Sequence, residues 1–292
     1  MNHQIKHIKQ LSIGLLITVL IAAIVGIFSI GGTPVEVESI HGEIFNLHNH
    51  GVYRYDTVSV AMQAIAQDFV TVIIWGSLFI FALIKLNTKN ELSKLMMLGL
   101  LAYALYAYTS YTFLSHFNEL FLLYIFNMSL SLYLLIRTIA LLNMSQIQSY
   151  YQKPLPIKRT VGFLLLVGLM LTIMWLGRVI PGLRPNAQPQ GLETYHTLVI
   201  QAMDLGFIVP LSLMAAYYLI KRTSLGYTLT AVLLFKGAAL FTAVATMAIV
   251  QGLMDESVNY VEIGIFLLLT GLAYYITILF FSRSMKPIEQ DS

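Results

Sequence analysis

The chain has 292 residues, of which 58% are hydrophobic and only 11% charged, with a formal charge of +3. Soluble globular domains run at roughly 45–50% apolar and about 25% charged, so this composition excludes a soluble core and reads as a polytopic membrane protein. The absence of cysteine excludes a disulfide framework, a thiol nucleophile and thiolate-held metal or iron–sulfur centres, and the small charge speaks against a nucleic acid partner.

A bilayer core of about 30 Å needs roughly 20 apolar residues per helix. Such runs fall at about 11–30, 69–85, 95–113, 119–141, 160–180, 198–220, 225–250 and 260–281, predicting eight transmembrane helices. Lys6, Lys9, Lys85, Lys89, Lys94, Arg137, Lys153, Lys158, Arg159, Lys221, Arg222, Arg283 and Lys286 all lie on one side of that arrangement, whereas of the acids only Glu91, Glu289 and Asp291 do. The positive-inside rule therefore places both termini in the cytoplasm. The first run is longer than a signal-peptide core, and Phe28-Ser29-Ile30-Gly31-Gly32 offers no cleavage pattern, so it reads as an anchor. A bacterial cytoplasmic membrane is the simplest location.

Between the first two helices lies the segment 31–68. Gly31-Gly32-Thr33-Pro34 is a turn signal and Val35-Glu36-Val37-Glu38 alternates like a strand. From Asp56 the pattern becomes helical, with Val58, Met62, Ile65 and Phe69 on one stripe and Asp56 or Thr57 as the N-cap. The third helix is rich in tyrosine (Tyr103, Tyr106, Tyr108, Tyr111), so part of this set points into the bundle. The fourth carries Asn127 and Ser129 at depth, expected to hydrogen-bond between helices.

The loop at 143–159 divides the chain into halves, 1–145 and 146–292. Asp68 precedes Leu83-Ile84-Lys85 at the spacing by which Asp204 precedes Leu219-Ile220-Lys221, and Tyr55-Asp56-Thr57 is echoed by Tyr195-His196-Thr197. The fold expected is all-α: two four-helix halves forming a parallel pseudo-repeat about an axis along the membrane normal.

Three constellations carry chemistry. His41, His48, His50, His116 and His196 fall on the outer side, and imidazoles with carboxylates suit zinc or copper, although His48-Asn49-His50 is a weak signature. Asp68 and Asp204 form a pseudo-symmetric pair that either faces a shared cavity or caps helix ends. Lys236 sits mid-helix, where an ionised amine is costly without a partner. Asp204 and Glu262 are its candidate partners, and Pro210 bends the helix that carries Asp204. Trp75 and Trp175 need no role beyond anchoring.

Tyr53-Arg54-Tyr55-Asp56-Thr57-Val58 with Gln63-Ala64 and Gln67-Asp68, together with Asp204-Leu205-Gly206, Pro210 and Lys236-Gly237-Ala238, resembles a family of uncharacterised bacterial polytopic membrane proteins. The resemblance covers most of the chain and implies a shared eight-helix fold, but it carries no mechanism. The leading functional expectation is binding or transport of a small ligand or ion at an outward-facing polar site. Asp68, Asp204, Lys236, Tyr103, Tyr106 and Glu262 would line it. The alternatives are a membrane-embedded enzyme, perhaps a metal-dependent hydrolase, using the outer histidines with Asp56 or Glu119, and a sensor or assembly factor. No nucleotide-binding loop is present.

Overall fold

The computed structural model describes residues 2–39, 42–150, 156–185, 187–254 and 260–282. Among the described residues, eight helices are long and apolar enough to cross a membrane: α1 His3–Ile27, α2 Val58–Lys85, α3 Glu91–Phe113, α4 Phe121–Ile139, α5 Ile157–Leu183, α6 Val199–Ile220, α7 Ser224–Gly252 and α8 Ile263–Ser282. The expected runs and the observed helices agree to within a turn or two except where polar caps extend them. Thr57 is the N-cap of α2. Asn90 caps α3, its side chain accepting the Ser93 N–H at 3.2 Å, which satisfies one of the orphan donors of the first turn.

The segment before α2 is ordered. Its strand-like alternation forms β1 Val35–Glu38, which pairs antiparallel with β2 Ile44–Leu47, Val35 opposite Leu47. A tight loop then returns to α2, with the His48 N–H donating to the Asp56 carbonyl at 2.9 Å. The buried His48 ring ties this loop to α1 through Nε2 and the Ser29 carbonyl at 2.5 Å, and Ser29 Oγ accepts the Val52 N–H at 3.0 Å. The end of the bundle beside this hairpin is called the hairpin end below.

In the first half, α1 packs on α2 and α4, and α3 on α4 and α2; in the second, α6 packs on α5 and α7, α7 on α8, and α8 only briefly on α5. Two apolar cores form, one holding Trp75, Phe79, Tyr103 and Tyr108 with Ala239 of α7, the other Leu164, Ala216, Leu234 and Phe280 with Leu95 and Leu98 of α3. Helix α7 joins them by packing on both α2 and α3. Gly99 makes the α3 crossing close, since a Cβ there would collide with Phe235 Cβ and crowd the Val232 carbonyl.

Both α2 and α6 contain one π-helical turn, Thr71–Trp75 and Asp204–Ile208. The second lies just before Pro210, which has no N–H to give the ladder, so a wider turn absorbs the lost bond. The expectation for α4 needs correction. Asn127 is fully buried, but Ser129 is exposed, because two residues on a 3.6-residue helix point to opposite faces.

Candidate functional site

The two halves handle their acids differently. Asp68 lies in α2 and is 2% exposed. Tyr53 donates to its Oδ2 at 2.7 Å and Tyr111 to its Oδ1 at 2.8 Å. Tyr53 stands in the loop before α2, where burial first and the Asp68 charge second push its hydroxyl well above the ordinary tyrosine range, so it stays a donor. On the far side α1 closes in at Gly26, where any Cβ would run into the Asp68 carboxylate. Tyr108, Tyr111 and Tyr124 pack ring on ring around this centre.

Asp204 lies in the π turn of α6, about a turn and a half from the hairpin end of that helix. Tyr106 of α3 donates to its Oδ1 at 2.7 Å and Trp175 of α5 to its Oδ2 at 2.8 Å. Lys236, near the middle of α7 and 5% exposed, places its Nζ 3.9 Å from the centroid of the Tyr106 ring, a cation–π approach. Lys236 and Asp204 thus meet on the same tyrosine rather than in a direct salt bridge. Beyond Trp175, the Arg178 guanidinium stands 6.0 Å over the indole and its Nε donates to the Gln190 carbonyl at 2.5 Å.

These groups border a cavity of about 710 Å³, within the range of small-molecule sites. It starts at the hairpin end among Ser59, Ser115, Gln190 and Gln251 and runs down to Ser212 and Leu233. Its wall is mostly apolar, from Leu164, Val167, Met170, Met174, Phe241 and Met247. Tyr106, Asp204, Lys236, Trp175 and Arg178 all line it, as does Tyr111, the partition between it and Asp68.

The structure therefore brings together part of the sequence-derived set. Asp204, Lys236 and Tyr106 form one centre, while Asp68 belongs to another and does not line the cavity. Tyr103 bonds Thr71 at 3.0 Å inside the first core; it is three residues, nearly one turn, from Tyr106 but faces the other bundle. The Glu262 side chain and His41 lie outside the described residues.

The remaining histidines do not converge. His48 is spent on Ser29, His50 and His196 are exposed, and His116 packs on the Tyr195 ring with centroids 4.9 Å apart. Among the described residues, no three His, Cys, Asp or Glu side chains gather. Asp56, an expected cap or base, is buried and clasped instead: its Oδ1 accepts the His116 N–H at 2.9 Å and the Tyr195 hydroxyl at 3.0 Å. Tyr195 in turn accepts the Thr57 N–H at 3.3 Å, and Thr57 Oγ1 bonds Glu193. Burial and the neighbouring Asp56 charge raise the Tyr195 hydroxyl above the ordinary tyrosine range. The loop before α6 is in this way latched onto the start of α2. Glu119 pairs with Arg54 at the surface, and the guanidinium holds its carboxyl below the usual glutamate range.

Sequence reasoning passed over Trp175, whose indole is the second donor to Asp204. A signal existed: α5 and α6 are antiparallel neighbours, and both residues lie near the hairpin ends of their helices. It also read Glu91 and Lys94 as loop charges. They form a buried pair at 2.6 Å, 1% and 2% exposed, with Lys94 Nζ donating to the Leu141 carbonyl at 3.0 Å and Glu91 Oε2 accepting the Asn143 N–H at 3.1 Å. No protein-family model, curated protein or solved structure matches this chain, so its function has to be read from this geometry.

Proposed function

We propose that the chain is a multi-pass protein of a bacterial cytoplasmic membrane that binds a small ligand or ion in the cavity between its two halves, as the binding step of transport. One observation carries the reading: a buried acid, a buried amine and a half-buried indole border the same cavity at membrane depth. Ionisable groups inside membrane helices are costly, and where they face a cavity rather than one another they mark ligand paths. The distribution of basic residues supports cytoplasmic termini, which makes the hairpin end external and the cavity outward-facing. The paired acids of α2 and α6, each beside a π turn and each at the same spacing from Lys85 or Lys221, support a parallel repeat. In that repeat the first half carries the sealed acid and the second the acid that borders the cavity.

The test is a thermal-shift screen of purified protein in detergent against amino acids, organic acids, amines, lipids and metal ions. A ligand at about 100 times its Kd adds about 2.7 kcal/mol of stability. The expected result is a stabilising compound whose effect disappears in Asp204→Asn while the unliganded melting temperature holds. A hit that stabilises Asp204→Asn and wild type equally would place binding elsewhere. For the topology, reporters fused after Asn90, Leu155 and Thr223 should be cytoplasmic, and those after His50, Gln188 and Glu256 external; one reversed reporter would break the orientation.

A further inference from the structure

Within the proposed binding cavity, the amine and the wall together narrow the ligand class. The Asp204 carboxylate is already held at both oxygens by Tyr106 and Trp175. Lys236 is different. Its amine can offer three donors, yet among the described residues it makes no salt bridge, and its nearest polarisable neighbour is the Tyr106 ring. It is 95% buried by its 5% exposure, and it borders the cavity. A second basic group, Arg178 of α5, also lines the cavity. Among the described lining residues, two basic groups stand against one acid whose oxygens are both bonded, which leaves donors for an anion.

The rest of the wall is apolar and partly methionine, a side chain that adapts to flexible hydrocarbon. Between the hairpin end and Lys236 the described lining holds Met170, Met174 and Met247 and, besides Asp204 and Arg178, no other charge. A small hydrophilic anion would satisfy the amine and leave that apolar length exposed. An apolar ligand would fill the length and leave the amine without an acceptor. Helices α5 and α8 touch only briefly, and Gly177, Ile263 and Phe266 of these two helices line the cavity. A ligand arriving from hydrocarbon would enter along that seam.

We propose that the cavity takes a single-chain anionic amphiphile from the membrane, its acid group on Lys236 and its hydrocarbon along the methionine-lined wall. This inference rests on the reading of the cavity as a ligand site.

Trp175 provides the reporter, because it lines the cavity while the other tryptophan, Trp75, is fully buried in the first core. The experiment titrates the full-length protein in detergent with a brominated long-chain fatty acid, its methyl ester and a short water-soluble bromo-acid, reading tryptophan fluorescence. The long-chain acid should quench saturably, and Trp175→Phe should abolish the response. The ester should need at least an order of magnitude more for half-saturation. Lys236→Gln should erase the preference for acid over ester, and Lys236→Arg, which keeps a cation, should retain it. Equal quenching by acid and ester overturns the role of Lys236. Equal competition by the short acid overturns the role of the apolar wall. If amphiphiles fail but a soluble ion or zwitterion from the thermal-shift screen binds through Asp204, this inference falls while the ligand-site reading stands. No saturable response to any probe in either experiment would sink both.

Discussion

Asp68 in α2 and Asp204 in α6 are each held by two ring donors, yet their surroundings differ. Around Asp68 every direction is filled: tyrosines on two sides, α1 pressed in at Gly26. Asp204, by contrast, borders the cavity, which no neighbouring side chain fills. The same contrast holds for two buried lysines. Lys94 has a carboxylate and a carbonyl to donate to; Lys236 has an aromatic face and a cavity. A buried polar group in a bilayer needs a partner. Where the protein supplies all of them the group is structural, and where it leaves one unmade the group is available to a ligand.

The comparison breaks most readily at the lysines. Lys94→Met strands Glu91 as a lone buried carboxylate, and removing one member of such a pair costs about 3–5 kcal/mol. Lys236→Met strands no paired acid and should lower the detergent melting temperature far less. Equal losses would erase the distinction between the two.

At the acids the expected difference is smaller. Asp68→Ala leaves the Tyr53 hydroxyl buried without an acceptor, a penalty of about 1–3 kcal/mol; Tyr111 can turn to the Ala64 carbonyl, already 3.1 Å away. Asp204→Ala frees Tyr106 and Trp175 beside a cavity, where they can be solvated. Chemical denaturation of the two variants side by side should therefore rank Asp68→Ala as the less stable.

The latch between the halves is weaker still. Tyr195→Phe removes the hydroxyl that donates to Asp56 and accepts from Thr57, worth about 1 kcal/mol. Its signature should be faster amide exchange at the start of α2, with the α4 core unchanged. Protection unaltered at Thr57 and Val58 would show that the latch does not hold that helix end.

The least effect belongs to the surface pair. The Arg54 guanidinium lowers the Glu119 carboxyl from its ordinary 4.5. A depressed folded value means that this contribution is present above the ordinary glutamate range and is lost as pH falls through the folded value. Glu119→Gln should remove that acid-side dependence and leave stability at neutral pH nearly unchanged, since exposed pairs contribute little. A larger change at neutral pH than in acid would contradict the sign.

Helix number, approximate ends and the ordered hairpin segment were legible because they depend on local quantities. Apolar length sets a membrane span, alternation set β1, and Asp56-Thr57 marked the start of α2. Asp204, Lys236 and Tyr106 could be singled out too, since polar groups stand out within apolar runs. Their partners could not. Trp175 looks like an anchor until α5 is laid beside α6. Tyr103 and Tyr106 are indistinguishable in sequence, yet nearly one helical turn sends the first to Thr71 in one core and the second to Asp204 in the other. Glu91 and Lys94 look like solvated loop charges until the start of α3 is buried against the end of α4. The sequence by itself determined which segments are long and apolar enough to span a membrane, because hydropathy and length act residue by residue. Only the tertiary structure decided which acid is sealed and which faces a cavity, because that depends on whether a neighbouring helix fills the space beside it.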